Sequence, residues 1–243
     1  MTKRVFMIGM GCLLSMLAGT AVWGYEAVAV SNGGSVSGQV TFSGEVPPPQ
    51  TIRVTKNTDV CGQTIPSETL LVSADKGIKN VIVTFENIQQ GKEGKPRQVV
   101  INNHLCRFEP RVQAVMKVKG FNVVVKNDDD VLHNTHAYQK KRTVFNLALP
   151  TQGQTIKVTR KIRRRTGMVE IKCDAHDWMH SWLLVTDHPY VAVTDENGGF
   201  KIADIPPGTY TLRFWHEALG TQQQEVTITA GSDTQANIAF AAK

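Results

Sequence analysis

Apolar residues alternate with polar ones over short stretches along most of the chain, and turn-forming residues separate these stretches. Alternation with a period of two places the apolar side chains on one face of a β-strand. Clear examples begin at Val36, Val81, Val112, Phe121 and Val169. No comparable stretch keeps a helical period over a dozen residues, so we predict an all-β protein.

The N-terminus follows a different pattern. Met1–Arg4 is short and basic, and residues 5–22 are apolar or small throughout. This pattern is typical of a secretory signal peptide, with cleavage after Gly24. The alternative is an uncleaved anchor, because about 18 apolar residues are just enough to span a bilayer. We predict export to the periplasm, removal of residues 1–24, and no membrane span after cleavage.

Composition and cysteine content narrow the class further. With 243 residues, 41% of them hydrophobic and 20% charged, the chain is typical of a globular protein and not of a disordered one. Cleavage removes Cys12 and leaves Cys61, Cys106 and Cys173. An odd cysteine in an oxidising compartment indicates a free thiol or a metal ligand. Spacing alone leaves all three pairings open.

The last quarter of the chain contains a turn at Glu196–Gly199, a tight reversal at Pro206–Gly208 and the run Glu225–Gly231. This part resembles the carboxypeptidase regulatory-like family of small transthyretin-like β-sandwiches. That family usually opens with a strand like Gly34–Thr41, which here lies about 150 residues upstream. We therefore predict one sandwich built from both ends of the chain, with a second domain inserted. The predicted segments are 1–24 (signal peptide), 34–90 and 188–243 (regulatory-like sandwich), and 91–187 (inserted domain).

Candidate chemistry is concentrated in the inserted domain. Cys173, His176 and Met179 have the spacing C-x2-H-x2-M in one loop directly after a strand. Thiolate, imidazole and thioether form a soft ligand set that suits copper. His133 follows an upstream strand and a short acidic turn, and it is the candidate for the remaining ligand. Two histidines, one cysteine and a weak axial methionine form the blue-copper pattern.

From about Arg97 to Thr186 the chain resembles the cupredoxin family of plastocyanin and amicyanin, on the spacing of that loop and on the pair His133-Asn134. The resemblance implies a Greek-key β-sandwich holding one type 1 copper ion. It implies that His133, Cys173 and His176 are the equatorial ligands and Met179 the axial one. It further implies that the Asn134 side chain ties the ligand loops together and that His176 is the exposed port for electrons. Proteins labelled methylamine-utilisation-like, which are extracytoplasmic, resemble the chain in joining both kinds of segment.

The loop departs from the cupredoxin pattern at several positions. Asp174 and Asp177 stand where amicyanin-like loops carry Thr and Pro. His136 or His180 is an alternative fourth ligand, which would favour a non-blue copper or zinc centre. If Cys173 binds metal, Cys61 and Cys106 are left to form a disulfide, and the alternative is two buried free thiols. We expect Trp178 and Trp182 to pack around the loop, and His104 and His216 to be structural or surface residues.

These features predict a soluble electron carrier whose partner is a redox protein such as a cytochrome or a dehydrogenase. No Ser/His/Asp or paired-carboxylate arrangement indicates an enzyme. The alternatives are an extracytoplasmic interaction module with a structural or absent metal, and a copper storage or delivery protein. Basic clusters at Lys140–Arg142 and Lys157–Arg165 would steer an acidic partner or an anionic membrane surface if they shared a face, and are otherwise solvated loops. We do not expect nucleic-acid binding, because few aromatic residues accompany these clusters.

Overall fold

The computed structural model describes residues 24–242, and strands account for most of its regular structure. The two helices of this part are single turns, α1 (Thr58–Cys61) and α2 (Thr159–Ile162). Within residues 24–242 no helix is both long and apolar enough to cross a membrane. The predicted all-β class is confirmed, whereas the predicted signal peptide lies outside the described residues.

Strands from both ends of the chain form one β-sandwich, called here the outer sandwich. Its strands are β2 (Gly34–Ser43), β5 (Ile82–Phe85), β16 (Val191–Val193), β17 (Gly199–Ile205), β18 (Gly208–His216), β19 (Gly220–Ile228), β20 (Asp233–Gln235) and β21 (Ile238–Ala241). One sheet has the order β16-β5-β18-β19, and the other has the order β17-β2-β20 with β21 also paired to β2. The short strands β1 (Glu26–Ala27) and β6 (Gln90–Gly91) pair with each other. The central strand β2 thus takes its partner strands from the C-terminal part of the chain, and an isolated bridge also joins its Thr41 to Gly77.

A second sandwich, called here the inserted sandwich, lies between these two parts in sequence. Its strands are β7 (Gln98–His104), β8 (Arg107–Glu109), β9 (Val112–Met116), β10 (Asn122–Asn127), β11 (His133–Gln139), β12 (Arg142–Leu149), β13 (Thr155–Lys157), β14 (Gly167–Cys173) and β15 (His180–Thr186). The sheets have the orders β13-β10-β7-β8 and β12-β11-β14-β15-β9. Most neighbours are antiparallel, but β7 and β10 run parallel, as do β9 and β15.

The alternating pattern explains which side chains enter the core of the inserted sandwich. On β14, Val169, Ile171 and Cys173 are buried, whereas Glu170 and Lys172 lie on the opposite face, where they form an ion pair. A period of two makes this separation automatic in an extended strand. Cys173 is therefore the last inward-facing position of β14, at the edge of the core.

One segment departs from the predicted division into domains. β3 (Thr51–Arg53) and β4 (Thr64–Pro66) form a hairpin with α1 between them. This capping hairpin, residues 51–66, falls within the segment predicted to belong to the regulatory-like sandwich, yet it packs on the inserted sandwich. Its buried residues form a small cluster with Cys106 and the partly buried Trp178. A disulfide joins Cys61 to Cys106, so the predicted pairing is confirmed.

The outer and inserted sandwiches share a packed interface. Arg111 forms a bidentate ion pair with Glu217, and both side chains are about nine-tenths buried. Trp182 donates from Nε1 to the Glu217 carboxylate at 3.2 Å and stacks edge-on against Trp215. Trp182 therefore packs at the interface between the sandwiches and not around the ligand loop, where the sequence predicts it. The buried ion pair fixes the two sandwiches together.

The two basic clusters meet at one end of the inserted sandwich. Lys140 and Lys141 form the turn after β11, and β14 begins just after Arg165 beside that turn, where Gln139 donates to the Thr166 carbonyl at 2.9 Å. His133 lies at the other end of β11. Because each step along a strand advances about 3.4 Å, the seven-residue β11 separates this basic end from His133 by about 20 Å. The charge is therefore concentrated far from the candidate ligands.

His216 has a structural role that makes the outer sandwich sensitive to acid. Its ring is 1% exposed, and Nδ1 accepts backbone N–H groups from Ala218 and Leu219, both at 3.3 Å. Burial lowers the pKa of His216 from 6.5 to about 4. Protonation occurs more readily in the unfolded chain, so this histidine favours the folded state fully above pH 6.5, and that contribution is lost as the pH falls toward 4.

We predict that His216→Asn, which keeps an acceptor near Nδ1 but does not titrate, flattens this acid dependence. The variant is less stable near neutral pH because it leaves a cavity. Between pH 6.5 and 4 the gap in unfolding free energy between wild type and variant should narrow by up to about 3 kcal/mol. Denaturant unfolding at several pH values measures the gap, and a gap independent of pH contradicts the prediction.

Candidate metal centre

Three candidate ligands converge at one end of the inserted sandwich. His133 is the first residue of β11 and Cys173 is the last of β14, while His176 lies in the loop that follows. The strands are antiparallel with Thr135 opposite Cys173, which places the start of β11 beside the end of β14. The Nδ1 atoms of His133 and His176 are 3.1 Å apart, and the Cys173 sulfur lies 3.9 and 3.6 Å from them. All three side chains are buried.

The orientation of His133 is fixed from behind by Asp129. The Asp129 carboxylate lies 2.8 Å from His133 Nε2 and accepts the backbone N–H groups of Leu105 and Cys106 at 2.7 and 2.9 Å. Burial raises the pKa of Asp129, but these hydrogen bonds outweigh it and hold the pKa below its usual value. An ionised Asp129 accepts a hydrogen bond from Nε2–H, which leaves the Nδ1 lone pair directed at the cluster.

His176 is held in the same way by the capping hairpin. Its Nε2 lies 2.9 Å from the side-chain oxygen of Asn57, so Nε2–H donates there and Nδ1 is left for the cluster. The sequence-based expectation that His176 is an exposed port is wrong, because its exposed fraction is 0%. The capping hairpin covers the edge at which an exposed ring would emerge, and the Trp178 ring packs beside it at 5.0 Å.

Cys173 is the free cysteine of the described residues, and its surroundings favour the thiolate. Burial alone would raise the pKa of this thiol. In the absence of metal, a proton on Nδ1 of His133 or His176 can donate to the Cys173 sulfur. These hydrogen bonds, together with the Asn134 backbone N–H at 3.3 Å, outweigh burial and lower the pKa from 9.0 to about 6. The thiolate is the form that binds metals, so the ligand form of Cys173 is populated at neutral pH.

Met179 closes the loop that carries His176. Its backbone N–H donates to the His176 carbonyl at 3.0 Å, and its own carbonyl accepts the Cys173 N–H at 3.3 Å. The side chain is 1% exposed and belongs to the same core cluster as Cys173. The loop thus folds back on itself and buries the methionine beside the cysteine.

The two alternative histidines do not join the cluster. His136 is on the face of β11 opposite His133 and Thr135, where Nδ1 pairs with Asp174 at 2.9 Å and Nε2 contacts Thr143 at 2.9 Å. His180 Nε2 lies 3.1 Å from the Asp177 carbonyl. Strand alternation explains why His136 points away from the cluster, because it lies three residues after His133 and an odd step along a strand reverses the face.

Asn134 ties the ligand loops together less directly than the resemblance implies. Its side-chain amide donates to Asn146 at 2.6 Å, and Asn146 in turn donates to Asp174 at 3.2 Å. Asp174 therefore belongs to a polar link on the outer face of the sheet. The direct contact of Asn134 with the cluster is its backbone N–H on the Cys173 sulfur.

The donor set fits a soft or borderline metal ion. Bonds from such an ion to nitrogen and sulfur are about 2.0 and 2.3 Å, so ligand atoms on one ion lie about 3 to 4 Å apart. The observed separations of 3.1, 3.6 and 3.9 Å fall in this range. Two imidazoles and a thiolate suit copper or zinc and do not suit magnesium or calcium.

Sequence reasoning missed Asn57 and Asp129, the partners of the two imidazoles. Asp129 lies in the acidic turn Asn127–Asp130, four residues before His133, and this proximity was a usable signal. Asn57 is 119 residues from His176. No local pattern connects them, so only the folded chain reveals this partner.

The C-terminal part of the chain is similar to known sequences. Residues 183–241 match the carboxypeptidase regulatory-like domain family, as the resemblance predicts. The match begins within β15 of the inserted sandwich. A stretch of 78 residues, 32% of this chain, is 31% identical to rhamnogalacturonate lyase A of Emericella nidulans. That stretch covers only 15% of the lyase.

Solved structures similar to part of the chain include cupredoxins. A Cu-containing nitrite reductase from Thermus scotoductus is 19% identical over 40% of this chain and 23% of its own, with a TM-score of 0.32. A purple cupredoxin from Nitrosopumilus maritimus is 21% identical over 37% of this chain and 98% of its own, with a TM-score of 0.30. The reduced Cu(I) form of a mutant amicyanin is 20% identical over 36% of this chain and 80% of its own, with a TM-score of 0.28.

We predict that Asp129→Asn weakens metal binding by about 10- to 100-fold, because partners of ligating histidines typically contribute that much. The amide leaves Nε2–H of His133 and two backbone N–H groups without a charged acceptor. Competitive titration with Zn²⁺ measures the change. Asp130→Asn is the matched control, since Asp130 is exposed and next in sequence. Equal affinities for the two variants would contradict the role of Asp129.

Proposed function

We propose that the chain is an exported type 1 copper protein that carries electrons, with His133, Cys173 and His176 as equatorial ligands and Met179 as the axial ligand. The observation that supports it is the buried convergence of two imidazole Nδ1 atoms on a thiol whose pKa is lowered to about 6. Bound copper would supply one-electron chemistry. No substrate is converted, so the protein is a carrier and not an enzyme.

The candidate ligands suit electron transfer because hydrogen bonds hold their side chains in place. His133 and His176 each have a hydrogen-bond partner on the ring nitrogen that faces away from the cluster. Cys173 ends a strand in the middle of a five-stranded sheet and accepts the Asn134 N–H. Ligands held in this way move little when the charge of the ion changes, so reorganisation opposes electron transfer only weakly.

The proposed partner is a redox protein such as a cytochrome or a dehydrogenase, which docks near the metal end of the inserted sandwich. Electron transfer falls off steeply with distance. The basic end lies about 20 Å from His133 by the strand rise. An acidic partner bound there would be poorly placed to exchange electrons, so the basic clusters are not assigned to this partner.

The carboxypeptidase regulatory-like match favours a second candidate, an extracytoplasmic binding module whose metal is structural. In that case the buried cluster would hold zinc and serve stability alone. The two candidates differ in colour and in redox activity.

Visible absorption of the purified, copper-loaded and oxidised protein tests the first candidate. We predict an intense thiolate-to-copper band that disappears on reduction. Cys173→Ser should abolish the band, because the transition originates on the thiolate. Met179→Leu should keep an intense band at a shifted wavelength, because an axial thioether is a weak ligand.

His136→Ala is the control for this experiment, because His136 lies on the other face of β11 and should leave the spectrum unchanged. Loss of the band in His136→Ala would contradict the proposed ligand set. A colourless wild-type protein carrying stoichiometric zinc would overturn electron transfer and favour the binding module.

A further inference from the structure

The capping hairpin reaches from the outer sandwich to the end of the inserted sandwich that carries the candidate ligands, and it is attached there at few points. Just beyond it, Glu68 forms an ion pair with Arg107 at 3.1 Å. Within the described residues, the hairpin's hydrogen bond to the inserted sandwich is the one between Asn57 and His176. Its covalent attachment is the bond between Cys61 and Cys106. Val54 and Ile65 are the other buried side chains it contributes. Its strands pair with each other and, in the described part of the chain, with no strand of either sandwich.

Such a segment depends on its covalent bond to stay closed. Burial of aliphatic side chains favours the closed segment, but the hairpin supplies only two that are fully buried, Val54 and Ile65. Ordering the backbone opposes closure because each residue loses conformational entropy, and the hairpin has many residues to order. Segments with few buried contacts and no ladder to a neighbouring sheet open locally before the rest of the fold.

The hairpin covers His176, one of the three candidate ligands. His176 is 0% exposed, whereas Asn57 is an exposed residue, so the hairpin separates the imidazole from solvent by a thin layer at this point. Asn57 adopts a left-handed backbone conformation with φ of 54°, which asparagine tolerates better than most residues. This conformation comes between β3 and α1, and it turns the side-chain oxygen toward Nε2.

The disulfide also connects the supports of both histidines. Cys61 lies four residues after Asn57, which holds His176. Cys106 donates its backbone N–H to Asp129, which holds His133. One covalent bond therefore links the two hydrogen-bond acceptors behind the two imidazoles.

We propose that the capping hairpin is a disulfide-held lid of the metal centre and that Asn57 is the positioning residue that keeps His176 in its ligating orientation. This rests on the proposal that His133, Cys173 and His176 hold a metal. With the lid closed, the ion is shielded from water and external chelators. It leaves only when the hairpin opens or when His176 loses its support.

The first test measures copper release from the full chain into excess EDTA, followed by the thiolate-to-copper absorbance and by metal analysis. Asn57→Gly removes the acceptor and suits the left-handed conformation. We expect it to release copper at least about tenfold faster than wild type, within the usual effect of such partners. Asn57→Asp keeps an acceptor and should restore slow release. The double variant Cys61→Ala/Cys106→Ala should release copper at least as fast as Asn57→Gly.

Lys56→Gly is the matched control, because it adds a glycine to the same hairpin at an exposed position next to Asn57. It should behave as wild type. Equal release rates for Asn57→Gly and Lys56→Gly would overturn the proposal. So would a double variant that keeps the wild-type rate, because the disulfide would then not hold the lid.

A second readout does not need metal. In the metal-free protein, nitrogen–proton NMR of His176 should show a proton on Nε2 that exchanges slowly with water in wild type and Lys56→Gly, and rapidly in Asn57→Gly. A rapidly exchanging proton in wild type would overturn the lid. If copper fails to bind wild type while this proton exchanges slowly, the proposed function fails and the positioning role of Asn57 stands.

Discussion

The bond between Cys61 and Cys106 is the constraint on which the arrangement of the candidate metal ligands depends. It fastens the capping hairpin to the β7–β8 turn of the inserted sandwich. Through this turn it reaches Asp129, and through the hairpin it reaches Asn57. Asp129 and Asn57 orient the two imidazole rings, and the disulfide connects the segments that position these two residues. Neither sandwich alone contains all of these groups.

The position of the ligands follows from strand direction. β11 begins where β14 ends because the two strands are antiparallel neighbours, so a residue at the start of one meets a residue at the end of the other. Alternation then selects the face. His133 and Cys173 point into the core, whereas His136 points away from it toward Asp174. The buried face of the sheet thus carries the candidate soft ligands, and the opposite, more exposed face carries a network of polar contacts.

Much of this arrangement could be predicted from the sequence because it is governed by local rules. Alternation located most strands, and the C-x2-H-x2-M spacing located the loop that closes back on Cys173. The burial of His176 and the role of Asn57 could not be predicted, since they depend on a hairpin distant in sequence that crosses from one sandwich to the other. The hairpin itself carries an ordinary pattern, and nothing in residues 51–66 indicates which surface it covers. Long-range placement of this kind is decided by the packing of the whole chain.

The central position of β2 has a consequence for the order of assembly. β2 occupies residues 34–43, yet its partner strands begin at residue 199, so until nearly the whole chain is present its neighbours are limited to the segment around Gly77, which bridges to Thr41. The inserted sandwich, by contrast, is complete once β15 has been made. Contacts so distant in sequence form late, because a long loop must close before they contribute. During synthesis the inserted sandwich can fold first, and the outer sandwich then closes as the final step, with β2 vulnerable to mispairing until that moment.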